Sequence, residues 1–137
     1  MEQFVLDTSA IISFFRKEAG AEKVKALFAD AALSKNNLIM HNASVAEFYY
    51  DLLYTYTEQE SFSIVERLNF YPITFIHTIS LDLIKQIGYF KSRYKISFAD
   101  SFVLATAILN DASVVTSDHH EFDVIAKGGD LKFEWIR

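Results

Sequence analysis

The run Phe4-Val5-Leu6-Asp7-Thr8-Ser9-Ala10-Ile11-Ile12 decides how the rest of the chain is read. Three consecutive apolar residues lead into an aspartate, and a further apolar stretch follows at helical spacing. A continuously apolar run is what a strand covered on both faces of a parallel sheet requires. Asp7 then falls at the carboxyl end of that strand, and open α/β sheets bind ligands in the crevice outside those ends. The position also suits a helix cap: Asp7, Thr8 or Ser9 can each cap a helix starting near Ala10.

Outward from this run, strand and helix patterns alternate. Ala10 to Phe15 reads as helix ending near Arg16-Lys17, and Ala19 to Leu33 as a second helix forming a hairpin with it. Asn37 to His41 suits a strand, and Ser44-Val45-Ala46-Glu47 has the form of a capping box opening a helix that continues through Tyr54. Glu58 to Leu68 predicts a further helix, broken before Pro72. Ile73 to Thr78 then reads as strand and Ser80 to Tyr94 as amphipathic helix. Ser97-Phe98-Ala99-Asp100 repeats the capping pattern ahead of an almost wholly apolar helix to Leu109. Ala112 to Thr116 is a fourth strand, Ser117 to Lys127 a loop with a helical turn, and Leu131 to Ile136 a last strand. The alternation predicts an α/β fold in one domain over residues 1–137, with a mostly parallel central sheet of about five strands and helices on both faces.

Composition narrows the class. With 51% hydrophobic and 15% aromatic residues the 137-residue chain carries ample material for a core. Cysteine is absent, which removes disulfides and thiolate metal sites and is compatible with a reducing cytosol. The opening Met1-Glu2-Gln3 lacks the positive region of a secretory signal, and the longest helical apolar stretch, Phe102 to Leu109, falls far short of a membrane span. The expectation is a cytoplasmic protein with no membrane association. A net charge of −5 argues against a generic basic binder of nucleic acid, so any such role rests on local charge or on cations.

Four acids occupy comparable places: Asp7 after the first strand, Glu47 in the helix after the second, Asp100 opening the apolar helix, and Asp118 after the fourth strand. Glu47 and Asp100 each stand three residues after a serine, where a carboxylate favours the helix dipole. Each alone is explained as a cap. Together at one sheet edge they repel, by about 4 kcal/mol for a pair 4 Å apart at an effective dielectric of 20, unless protons or a cation offset the charge. A divalent cation is the economical solution. Oxygen ligands without cysteine point to Mg²⁺, with Mn²⁺ as the variant, ions that bind through a few carboxylates together with substrate phosphates. The chemistry implied is phosphodiester hydrolysis by a water whose pKa the cation lowers.

Val5-Leu6-Asp7-Thr8-Ser9-Ala10, Ala43-Ser44-Val45-Ala46-Glu47, Ser97-Phe98-Ala99-Asp100-Ser101-Phe102-Val103-Leu104-Ala105 and Val115-Thr116-Ser117-Asp118 resemble, in this order and along essentially the whole chain, PIN domain nucleases of the VapC-like toxin type. The resemblance implies a metal-dependent endoribonuclease, the toxin of a type II toxin–antitoxin pair. It places Asp7, Glu47, Asp100 and Asp118 at the acidic catalytic and metal positions, with Thr116 or Ser117 orienting the pocket by hydrogen bonding. It also implies RNA as substrate, a cognate antitoxin protein as partner, and a homodimer. The sequence departs from the commoner pattern at Glu121, which stands before Phe122 where an aspartate is usual.

Other features read more plainly. His119 and His120 are expected as solvated side chains of an exposed loop, and His41 and His77 as structural residues at strand ends. Arg16-Lys17 and Lys91, Arg93 and Lys95 are solvated charges unless they rim the acidic pocket, where they could guide an RNA backbone. Phe48, Tyr49, Leu52, Leu53 and Tyr56 form a stripe suited to core, dimer surface or an antitoxin groove. A second reading of the whole chain is a catalytically silent PIN-like module that binds a protein partner and keeps its acids as caps. A phosphoacceptor receiver domain fails because it wants paired acids after the first strand and a late lysine at a strand end. An Asp-x-Asp phosphatase fails because position 9 is serine.

Overall fold

The computed structural model describes all residues, Met1 to Arg137. Five strands, β1 (Glu2–Leu6), β2 (Asn36–His41), β3 (Ile73–Ile76), β4 (Ser113–Thr116) and β5 (Phe133–Trp135), form one sheet in the order β3-β2-β1-β4-β5. Every neighbouring pair is parallel, so the predicted sheet is parallel throughout. β1 lies at its centre, with Phe4 opposite both Leu38 of β2 and Ser113 of β4. Successive connections run outward from β1 on one side and from β4 on the other. The topological switch point therefore falls between β1 and β4, where Asp7 and Asp118 emerge.

Strand parity divides the core. Phe4, Leu6, Leu38, Met40 and Val115 point to one face and pack under α1 (Thr8–Phe15), α2 (Ala21–Ala32), α3 (Asn42–Leu52) and α4 (Glu58–Arg67). Val5, Ile39 and Val114 point to the other, under α5 (Leu81–Arg93), α6 (Phe98–Leu109) and α7 (His119–Gly128). Phe14, Phe15, Phe28 and Tyr71 pack edge to face or tilted on the first side. Leu83, Ile87, Phe102 and Ala105 seal α5 against α6. No helix is long and apolar enough to cross a membrane.

Two local expectations are corrected. α3 begins at Asn42 rather than at Ser44, because the His41 ring accepts the Ala43 amide through Nδ1 at 3.0 Å and so takes the cap. Ser44 is fully buried in the first turn and lends its carbonyl to the Thr8 hydroxyl at 3.1 Å, so Glu47 lies in the second turn and caps nothing. The expected loop at 117–127 is the ten-residue helix α7. Asp118 caps it by accepting the Glu121 amide at 3.1 Å, Phe122 and Ile125 bury its inner face, and Gly129 ends it with φ at 78°. α1 also starts earlier than the apolar pattern suggests, at Thr8, whereas α6 starts at Phe98, directly after the Ser97 cap.

Candidate active site

The carboxyl edge of β1 and β4 opens into an acidic pocket of about 340 Å³. Asp7, Glu47, Asp100 and Asp118, the four acids singled out in the sequence, all line it. Asp51 and Glu121 join them, together with Ser9, Tyr50 and Ser97, and no lysine or arginine reaches the lining.

Asp7 forms the floor. It is 3% exposed and occupies the N-cap position of α1 but makes no capping bond with its side chain. Its Oδ2 instead accepts from the Ser9 hydroxyl at 2.7 Å and from the Thr116 hydroxyl at 2.8 Å, across 109 residues of sequence. Those hydroxyls accept in turn from the Ser117 amide at 3.1 Å and the Asp118 amide at 3.0 Å. β1, α1 and the turn after β4 are thereby locked around one carboxylate oxygen. Oδ1 takes no hydrogen bond and is the oxygen left for a ligand. Thr116 answers the orienting role expected from the resemblance, while Ser9 was not foreseen; its only signal is a hydroxyl two residues after an aspartate at a strand-to-helix turn.

Asp100 stands at the third position of α6, where Ser97 accepts its amide at 3.1 Å. This half of the predicted capping box is present, and the carboxylate is left for the pocket. Glu47 reaches the pocket from α3, half-buried, and accepts a long 3.3 Å hydrogen bond from the Tyr50 hydroxyl. Asp118 accepts the Glu121 amide through Oδ1. Glu121 thus lines the pocket at the position where the sequence departs from the usual aspartate.

Electrostatics follow from this crowding. Burial pushes the Asp7 carboxyl up to about 6, partly opposed by its two hydroxyl donors and reinforced by the charges of Glu47 and Asp118. Burial likewise raises Asp100 to about 7, with the charge of Asp7 the next contribution. Near neutral pH the pocket holds protons that a cation could replace. No three acidic or imidazole side chains converge tightly enough to grip one ion between them. The donor set nonetheless fits a largely hydrated Mg²⁺ or Mn²⁺, which takes one or two carboxylates and keeps several waters.

The remaining candidates are placed elsewhere. Arg16 pairs at 3.0 Å with Asp51, itself a lining residue, and so stands at the pocket's edge, whereas Lys91 donates to the Ile96 carbonyl at 2.6 Å and Arg93 lies 3.9 Å over the Tyr89 ring. His41 bonds the Thr78 carbonyl with its second nitrogen at 2.9 Å, and His77 meets Asn42. His119 is not a freely solvated loop residue. It opens α7, stacks on Trp135 at 3.9 Å, and bonds Asp123 and the Arg137 carbonyl, both at 2.8 Å. Those bonds, Asp123 first, raise its pKa. Of the aromatic stripe, Phe48 and Leu52 are buried, Tyr49 is half-buried, and Leu53 and Tyr56 are exposed.

Residues 4–128 match the PIN domain family. A search of curated protein sequences finds no match. Among solved structures, VapBC2 from Rickettsia felis, bound to a fragment of its promoter DNA, aligns with a TM-score of 0.76 at 18% identity, covering 96% of this chain and 97% of that one. VapBC-1 from nontypeable Haemophilus influenzae aligns at 0.71 and 20% identity, covering 98% of each chain. VapC20 of Mycobacterium tuberculosis, a toxin that cleaves the sarcin-ricin loop, aligns at 0.67 and 19% identity over 91% of this chain and 95% of that one. These likenesses extend over the full sheet and its helices.

Proposed function

Because this chain belongs to the PIN domain family, we propose that it is a metal-dependent endoribonuclease and the toxin half of a toxin–antitoxin pair. The observation that carries the reading is the convergence of Asp7, Glu47, Asp100 and Asp118 on one pocket at the switch point of a parallel sheet. Asp7 and Asp100 would hold the cation, with Glu47 and Asp118 reaching it directly or through water. When bound, Mg²⁺ or Mn²⁺ supplies charge on the phosphoryl oxygens and a water of lowered pKa. Ser9 and Thr116 keep Asp7 in one orientation by bonding Oδ2, so that Oδ1 would be the oxygen to hold a cation. Glu47, ionised, would be the acceptor that orients an attacking water and takes its proton.

Two of the similar structures are VapBC complexes, which supports an antitoxin partner. A groove of about 390 Å³ between α1, α3 and α4 suits such a partner, with Phe15, Phe48, Leu52, Tyr56 and Ile64 for apolar side chains and Arg67 for an acidic one. A homodimer belongs to the same reading and is checked by light scattering. The deciding assay is cleavage of single-stranded and structured RNAs with Mg²⁺, Mn²⁺ or EDTA. The expected result is cleavage with either ion and none in EDTA. Cleavage that persists in EDTA, or at wild-type rate in Asp100→Asn, overturns the mechanism. A folded chain that binds a partner and cuts nothing is the silent module.

A further inference from the structure

The rings of Phe133, Trp135 and His119 form a ladder that climbs β5 toward the carboxyl edge of the sheet. Phe133 and Trp135 are two residues apart on one face of the strand, with centroids 5.2 Å apart and planes 13° from parallel. His119 continues the stack, 3.9 Å from Trp135 and again 13° from parallel. Its imidazole is fixed in plane, with Nδ1 on Asp123 and Nε2 on the Arg137 carbonyl. One face of the ring is covered by Trp135, yet the side chain remains 47% exposed. That exposure therefore belongs to the opposite face and the ring edge. The top rung is a flat π surface held by two hydrogen bonds, and it belongs to the residue that follows Asp118 of the acidic pocket in the chain.

A second observation says what such a surface is for. Six acids line the pocket, the arginine at its edge, Arg16, is paired with one of them, Asp51, and the net charge is −5, so phosphate neutralisation by side chains supplies little affinity for RNA. Stacking of unpaired bases on aromatic rings adds affinity beyond what a bound cation gives at the phosphate, and it needs no positive side chain. We infer that the outer face of His119, backed by Trp135 and Phe133, is a stacking subsite for an unpaired nucleobase next to the phosphodiester held at the acidic pocket. This rests on the nuclease reading and adds to it a substrate whose bases are splayed from their helix. A paired base in a duplex cannot present its face to the ladder.

Stacking is worth about 5- to 150-fold in affinity per base, and it is absent from a chain of the same charge without bases. The test compares binding of a fluorescein-labelled oligo(A) with that of an abasic spacer chain of equal length and charge. Anisotropy is read on the full-length protein with Ca²⁺ in place of Mg²⁺, and the oligonucleotides are checked intact afterwards. Wild type should prefer oligo(A) by a factor in that range. His119→Leu keeps Trp135 covered but removes the planar face, and should lose the preference while binding the abasic chain as wild type does. His119→Phe should restore it, and melting curves verify that both variants are folded. Equal binding of the two probes by wild type overturns the subsite and leaves the nuclease reading standing, as does a preference that survives in His119→Leu. If His119→Leu weakens both probes alike, the imidazole serves charge or folding and the subsite also falls. Binding of neither probe, together with no cleavage of any RNA, removes the nuclease reading and the subsite with it.

Discussion

Asp7 and Glu47 face the same pocket from supports that differ in kind. Asp7 is sealed beneath it, with one oxygen pinned by two hydroxyls drawn from opposite ends of the chain. Glu47 leans in from the second turn of α3, half-buried, with a single long bond to the exposed Tyr50. The floor is thus organised before anything binds, at the cost of raised carboxyl pKa values; the rim can adjust its reach to what arrives. Preorganised oxygen with an adjustable neighbour is an arrangement that admits a hydrated ion without a rigid cage.

The largest effect should come from the floor. Asp7→Asn and Asp100→Asn should reduce RNA cleavage by more than about 100-fold with the chain still folded, since loss of a ligand exceeds the 10- to 100-fold typical of a supporting residue. Asp7→Glu should be equally inactive, because a side chain 3% exposed has no room for a further methylene. An active Asp7→Glu would erase the distinction between floor and rim.

Next in size is the pH dependence of stability without metal. The folded pKa of Asp7, about 6, lies above its ordinary 3.8, so between these values the native state binds more protons than the unfolded state. Its contribution is present below about pH 4 and is lost as pH rises through 6, with Asp100 extending the loss to about 7. For Asp7 the change is on the order of 3 kcal/mol. Melting in EDTA should therefore show a lower Tm at pH 8 than at pH 5 from these groups, and Mn²⁺ should recover stability at pH 8, where it replaces the protons. A melting temperature insensitive to Mn²⁺ at pH 8 would count against a cation site.

Thr116→Val keeps the shape of a fully buried side chain while removing the donor to Asp7 and the acceptor for the Asp118 amide. Titration calorimetry should find cation affinity down about 10- to 100-fold. Glu47→Asp should cost about tenfold or less in cleavage, since an adjustable rim with bound water tolerates a shorter reach. Asp118→Asn should cost least, because asparagine still caps α7. If Glu47→Asp is as damaging as Asp7→Asn, the rim is as rigid as the floor.

The sheet and its acids were legible because their signals are local. Phe4 to Leu6 could only be a strand buried on two faces, and Ser97 to Asp100 announced a helix start that the structure keeps. Glu47 was found for a reason that does not hold: the box beginning at Ser44 never forms, since an imidazole at position 41 captures the cap first. α7 stayed hidden because its opening residues, His119, His120 and Glu121, are polar and only Phe122 and Ile125 declare an inner face. The His119 stack was beyond the sequence for another reason. It depends on β5 lying beside β4, a pairing no spacing in residues 117–127 encodes.

The central place of β1 has a consequence for the order in which this protein comes into being. β1 is held between one neighbour that ends at residue 41 and another that begins only at residue 113. Gly20, whose position leaves no room for a Cβ beside the carbonyl of Ile136, repeats the theme by packing the first helical hairpin against the residue that follows β5. A nascent chain made only as far as α6 carries Asp7, Glu47 and Asp100 but lacks Thr116, one of the two hydroxyls that orient Asp7, and the turn that carries Asp118. The pocket is completed only once β4 and α7 have been made, so a chain on the ribosome still short of them lacks the assembled site.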